Sequence, residues 1–229
     1  MYKFLKLDYA RNSFRFLIKE FGIKEIRLPY YLCDVMRHGA FAEGCKILFY
    51  HIDDNFMPAE SFNEKEFILY PNYFGICEKN VKQLSKIYPN LIVDNAHSLY
   101  SEPMGIACFN SVRKFIPKRT ESFLFIKENS PEPHAESFDE LERISKKRTI
   151  SFKKLNLLYH NLNLLKFDLK YITSPFCYPC LTATANEADL LVKKLEQEGK
   201  IIYRYWNTLP KTFNEYKFYS RLVPIPLDN

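Results

Sequence analysis

Two side chains set the chemical question. Asp94 closes the apolar run LIVD, and Lys114 stands 20 positions later, just beyond the run ACFNS. Open α/β sheets present ligands at the carboxyl ends of their strands, so an acid and an amine at the ends of neighbouring strands would share one crevice. Enzymes that use pyridoxal 5'-phosphate (PLP) need both groups. The lysine forms an imine with the cofactor aldehyde, and the carboxylate pairs with the protonated pyridine nitrogen, which keeps the ring an electron acceptor. His97, three residues past the acid, is placed to lie against such a ring or near its phenolic oxygen. Ser111 is placed to hydrogen-bond the phosphate, together with N–H groups at the start of a helix beginning near Asn12. The same residue types also suit a turn-forming Asp and a surface Lys, and spacing alone leaves both readings open.

The elements around these residues follow from periodicity. Phe14, Leu17, Ile18 and Phe21 stand at i, i+3, i+4 and i+7 before Gly22. That spacing predicts an amphipathic helix with a glycine C-cap, capped at its start by Asn12 or Ser13. EIRL at 25–28 reads as a strand halted by Pro29, followed by a helix around 33–42. KILFYHI at 46–52, EFILY at 66–70, LIVD at 91–94, ACFNS at 107–111 and SFLFIK at 122–127 read as strands, with a helix at 79–88. Alternating strands and helices predict βαβ units, hence an α/β fold with a mostly parallel, doubly wound sheet.

This large domain is expected over residues 1–137, ending in the polar, proline-bearing ENSPEPHAES at 128–137. A helical connection is expected over 138–172, its pattern clearest in 151–172. Residues 173–229 read as a small α+β domain, with CLTATA, a helix at 186–198 stopped by Gly199, and a strand IIYRYW at 201–206.

Composition narrows the class. Hydrophobic residues make up 47% of the 229 and aromatics 16%, which is globular rather than disordered. The net charge of +6 is scattered; its densest run, Lys146-Lys147-Arg148 followed by Lys153-Lys154, reads as a solvated helix face, so no nucleic-acid partner is expected. No apolar run reaches the roughly 18–20 residues that span a bilayer, and MYKFLKLDYARN lacks the apolar core of a signal peptide. A cytoplasmic protein with no membrane partner and reduced cysteines is therefore expected. Cys177 and Cys180 form a CxxC, but zinc would need a second ligand pair and a redox site a helix directly after the motif, so no metal site is expected.

The chain resembles the fold-type I PLP-dependent enzymes, and most closely the DegT family of sugar aminotransferases. Asp94-Asn95-Ala96-His97 is similar to that family's Asp-Ala-Ala-(Gln/His) motif, and Ser111-Val112-Arg113-Lys114-Phe115-Ile116-Pro117 to a Ser-x-Arg-Lys-(Phe/Leu)-x-Pro branch ending near the imine-forming lysine. YARNSFRFLI at 9–18 resembles the first phosphate-cradling helix start, LPYYLCDVM at 28–36 the stretch near the cofactor ring, and NYFG at 72–75 a His-x-Tyr-Gly turn. KLEQEGKIIYRYW through RLVPIPLD resembles the small domain and its closing run. The family commonly has a glycine at the position of Ala10, a ring-stacking aromatic near Cys33, and a Gly-Gly turn where this chain reads Lys118-Arg119-Thr120-Glu121-Ser122.

The resemblance implies PLP as cofactor, with Lys114 as the catalytic lysine and proton shuttle. It implies Asp94 at the pyridinium, His97 and Cys33 near the ring, and Ser111, Arg11 and Asn12 near the phosphate. Arg113 would stand either at a phosphate or carboxylate or in a structural role, and Trp206 and Tyr205 would wall the substrate cleft or pack the small domain. The implied reaction moves an amino group from an amino-acid donor, glutamate in the family, to a keto sugar nucleotide for surface glycan assembly. A homodimer is implied too, whose interface would cover Tyr30, Tyr31, Tyr73 and Phe74. The altered turn at 118–122 leaves a second reading open, a homologue that binds cofactor or sugar nucleotide without transamination.

Overall fold

The computed structural model describes residues 1–129 and 137–227. Seven strands form one sheet: β1 (Tyr2–Asp8), β2 (Glu25–Pro29), β3 (Lys46–Tyr50), β4 (Phe67–Pro71), β5 (Leu91–Asn95), β6 (Ala107–Asn110) and β7 (Glu121–Lys127). Their order is β1-β7-β6-β5-β4-β2-β3, and only β7 runs against its neighbours. The expected mostly parallel, doubly wound sheet is therefore present. Successive residues of a strand face opposite sides, and the core divides accordingly. Leu91 and Val93 of β5 join one apolar cluster with α3 (Glu78–Ile87), while Ile92 joins the other with α1 (Ala10–Glu20) and α2 (Asp34–Ala42).

Helix α1 buries Phe14, Leu17 and Ile18, as their spacing predicts, but it starts at Ala10. Tyr9 is the cap residue, with φ +58° and no side-chain cap bond. Its carbonyl accepts the N–H groups of Asn12 (2.9 Å) and Ser13 (3.3 Å), so backbone closes the first turn and neither Asn12 nor Ser13 caps it. Strand β1 had no counterpart in the sequence reading. It pairs with β7 from Tyr2↔Lys127 to Asp8↔Glu121, and as an edge strand it carries Lys3 and Lys6, which guard its open side.

The C-terminal part departs further from expectation. Helix α4 spans Asp139–Tyr159, ending well short of residue 172. The chain then turns because the buried Asn163 side chain serves the next strand, β8 (Cys177–Leu181): its Nδ2 donates to Pro179 O (2.9 Å) and its Oδ1 accepts Leu181 N–H (2.9 Å). After α5 (Ala185–Gln197), IIYRYW is not a strand. Strand β8 pairs instead with β9 (Leu222–Pro226), which follows the short α6 (Tyr216–Arg221). Tyr205 and Trp206 pack against the aromatic cluster around Phe74 on the large sheet, so tertiary packing overrides their strand propensity. α5 does carry the Thr184–Glu187 capping box, and Gly199 with φ +79° follows its end.

Four further expectations meet the structure here. Tyr31, Tyr73 and Phe74, expected beneath a subunit interface, are fully buried within this chain. Cys177 and Cys180 lie within β8, in different apolar clusters, and burial raises both thiols, that of Cys180 to about 12. The loop and boundary expected at 128–137 falls, over 130–136, outside the described residues. Among the described residues no helix is long and apolar enough to cross a membrane.

Candidate active site

The carboxyl ends of β4, β5 and β6 and the start of α1 converge on one cavity. β5 and β6 are adjacent and parallel, with Asp94 opposite Phe109 and Asn95 opposite Asn110. After Asn110 the chain passes through Ser111 into a single 3-10 turn, Val112–Lys114, which brings the lysine back over the strand end. The cavity is lined by Arg11, Cys33, Asp94, His97, Ser111 and Lys114. Asn12 is the one expected residue outside that lining; it is exposed on α1.

Three side chains that line the cavity share a property. Asp94, 7% exposed, accepts Ala96 N–H on Oδ1 (2.8 Å), while its Oδ2 takes no hydrogen bond from any described residue. Lys114 Nζ makes no ion pair or hydrogen bond with any described residue, and it stands over the Phe176 ring, 5.7 Å from the centroid. Ser111 Oγ likewise has no partner among them although the residue is buried. At the start of α1 the N–H groups of Ala10 and Arg11 are also without partners, as expected of a helix beginning with no side-chain cap. Asp94 Oδ2 and Ser111 Oγ, both on buried residues, and the amine of half-buried Lys114 thus stand open around one space, with two free helix N–H groups at one end.

Electrostatics fit the same picture. Burial raises the Asp94 carboxyl while the nearby Lys114 cation and the Ala96 bond pull it back down. Burial lowers the Lys114 amine, opposed by Asp94. The two groups feel each other without closing an ion pair, which leaves room between them. His97 is pushed well below the usual histidine range, first by burial and then by the Lys114 cation, so it is neutral. Its Nδ1 faces Phe74 N–H at 3.4 Å, which puts the ring proton on Nε2. The imidazole is stacked between Phe176 (4.5 Å, 14°) and Trp206 (5.6 Å, 9°).

Pro71 lines the cavity and belongs to no segment singled out in the sequence; Tyr9, Leu32 and Asn72 line it from within segments that carry the family resemblance, though none was named singly. Trp206, read as cleft wall or packing residue, does both. Asn72 donates to Asn95 Oδ1 (3.1 Å) and accepts Cys77 N–H (2.9 Å), tying the end of β4 to β5 and to α3. A buried Asn just after a strand was the available signal. Gly75 allows this turn to approach His97: a Cβ there would lie 2.4 Å from His97 O, and its φ is +71°. The altered stretch 118–122 contains no positive φ; Thr120 O accepts Tyr9 N–H (2.9 Å) and so fixes the start of α1.

No family model and no curated protein matches the chain. Solved structures do match its fold. Helicobacter pylori PseC, an aminotransferase involved in the biosynthesis of pseudoaminic acid, is 16% identical with a TM-score of 0.69, over 98% of this chain and 81% of its own. A DegT DnrJ EryC1 StrS aminotransferase from Brucella abortus is 11% identical with a TM-score of 0.72, over 98% and 80%. NtdA from Bacillus subtilis, solved with bound cofactor PMP, is 14% identical with a TM-score of 0.72, over 98% and 68%. The chain thus has the mixed α/β fold, with a mostly parallel seven-stranded sheet, of the fold-type I PLP aminotransferases.

Proposed function

We propose that this chain is a PLP-dependent aminotransferase acting on a keto sugar nucleotide, with glutamate as amino donor, in surface glycan biosynthesis. The observation that carries the reading is the set of unpartnered polar groups around one cavity at the carboxyl edge of the sheet. Their chemistry fits the cofactor group by group. Asp94 Oδ2 suits the pyridine nitrogen, Lys114 Nζ the aldehyde carbon, and Ser111 Oγ with the Ala10 and Arg11 N–H groups the phosphate. His97 and Cys33 stand beside the ring position, and Asn12 contributes nothing to the lining. The fold shared with PseC and NtdA supports the same assignment.

When bound, PLP supplies an electron sink for the bond that breaks at the substrate carbon. The chain's residues supply the rest. Asp94, whose carboxyl burial raises against the opposing pull of the Lys114 cation and the Ala96 N–H bond, would pair with the ring nitrogen. Lys114, whose amine burial makes easier to deprotonate, can carry the proton that moves between substrate and cofactor at Nζ. Neutral His97, held by its aromatic stack, offers Nε2–H as a fixed donor that does not compete for that proton. Trp206, stacked on His97, walls this side of the cavity, and Phe176 backs the imidazole from its other face. We further assign the chain to a cytoplasmic homodimer with a large unit over 1–137, a connection over 138–172 and a small unit over 173–229.

Purified protein mixed with PLP should develop the visible absorbance of the lysine-bound cofactor, and Lys114→Ala should abolish it. Glutamate should then convert the band to that of the amino form. Absence of any band would sink the cofactor assignment; a band unmoved by every amino donor would leave binding without transamination.

A further inference from the structure

We infer that Arg11 and Arg113 form, around the ring of Tyr9, a clamp for an oxyanion carried by the substrate rather than by the cofactor. The inference rests on the proposed function for the site's location and adds the chemical class that its rim selects. The two arginines stand 102 positions apart, in the first turn of α1 and the turn after β6. Both guanidinium groups nevertheless lie over one ring, 5.0 Å (Arg11) and 5.6 Å (Arg113) from the Tyr9 centroid. All three residues line the cavity.

Two like charges brought to one ring repel each other, and the arrangement would be relieved by a carboxylate nearby. None is supplied: among the described residues neither Arg11 nor Arg113 has an ion-pair partner. Five other arginines do, whereas Arg143 and Arg221, which line no part of this cavity, do not. Arg15 pairs with Glu43, Arg27 with Glu66, Arg37 with Asp34, Arg119 with Glu121 and Glu140, and Arg204 with Asp189. The Tyr9 backbone is held at φ +58°, a conformation rare for an aromatic residue, and its N–H is fixed to Thr120 O. A strained, anchored ring between two unneutralised cations is a preformed seat for negative charge.

The position decides which negative charge. The inner anion end already has Ser111 Oγ and two helix N–H groups. Arg11 and Arg113 are exposed at the rim, where a ligand's outer portion would lie. Two sources carry an oxyanion of this kind: the side-chain or α-carboxylate of an amino acid, or the phosphoryl groups of a nucleotide.

Titration calorimetry with uridine diphosphate and with glutarate, on protein without PLP and with it, separates them. Arg11→Gln and Arg113→Gln should each weaken one probe about 10-fold, and the double variant more. Tyr9→Leu should weaken it less, and Lys86→Gln, an exposed cation on α3, should change nothing. Loss confined to uridine diphosphate assigns the clamp to a nucleotide; loss confined to glutarate assigns it to the amino acid. Unchanged affinity in both arginine variants, or no binding of either probe to the native chain, overturns the clamp. So does loss of the visible PLP band with probe affinity intact, which would place the arginines on the cofactor phosphate. Because the probes are titrated without PLP as well, failure of the clamp and failure of the cofactor assignment read out separately.

Discussion

Asn110 and Ser111 are neighbours at the end of β6, and both side chains are buried, yet they are treated oppositely. Asn110 is saturated. Its Nδ2 donates to Leu99 O (2.9 Å), its Oδ1 accepts Phe123 N–H (2.9 Å), and its own carbonyl accepts Ser122 Oγ (2.6 Å). Ser122 in turn accepts from Ser13 of α1 (2.8 Å), so one network joins β6, β7 and α1. Ser111, one residue on, has no side-chain partner among the described residues and lines the cavity. Successive residues of a strand point to opposite sides, which lets a single register serve both purposes. A buried polar group that is saturated holds the fold together, and one that is left open beside a cavity is reserved for a ligand.

The contrast can be broken most forcefully on the saturated side. Asn110→Leu strands the Leu99 carbonyl and the Phe123 N–H, and should destabilise the chain by about 2–4 kcal/mol in urea unfolding. If stability hardly moved, the network would not be the brace described. Ser111→Ala should behave in reverse: the unfolding midpoint stays within about 0.5 kcal/mol, while the dissociation constant for PLP rises about 10-fold, a loss of about 1.4 kcal/mol from one charge-assisted bond. An equal loss in folding stability and none in PLP affinity would reverse the assignment.

His97 belongs to both sides, since it lines the cavity but is stacked and bonded. Its folded pKa is depressed below 6.5, so the unfolded chain binds the proton more readily once pH falls beneath that value. Stability contributed by neutral His97 is therefore present above pH 6.5 and lost below it, by at most about 1.4 kcal/mol per pH unit for one group. Unfolding measured between pH 7 and pH 5 should show this slope in the native chain and a flatter one in His97→Phe. His160, an exposed residue at the end of α4, gives the control: His160→Gln should keep the slope.

Much of the site was legible because its signals are local. The acid at the end of LIVD, the Ser and Lys around the turn after ACFNS, and the helix following residue 9 each sit in a short segment whose pattern names its element. The segments holding Tyr9 and Asn72 carried the family resemblance, but what these two side chains do was not legible. Tyr9 matters through a positive φ and through arginines that reach it from two elements, and Asn72 through bonds to Asn95 and Cys77. Trp206 was readable only as one of two roles, and the structure gives it both. IIYRYW misled because strand propensity describes a segment, whereas a strand needs a partner; β8 pairs with β9, and Tyr205 and Trp206 pack into the aromatic cluster around Phe74.

The sequence by itself determined the α/β class, the order of most elements, and which residues of each are chemically equipped. Periodicity and capping act over a few neighbouring residues, and a sequence states them directly. The tertiary structure decided that β5 and β6 lie side by side, that α1 opens onto their ends, and that Asp94 and Lys114 share a cavity without closing a salt bridge. It also decided which buried polar groups were satisfied and which were left open. Those outcomes depend on hydrogen-bond partners and packing surfaces drawn from distant parts of the chain, which compete for the same edges and become fixed only when the whole sheet is assembled.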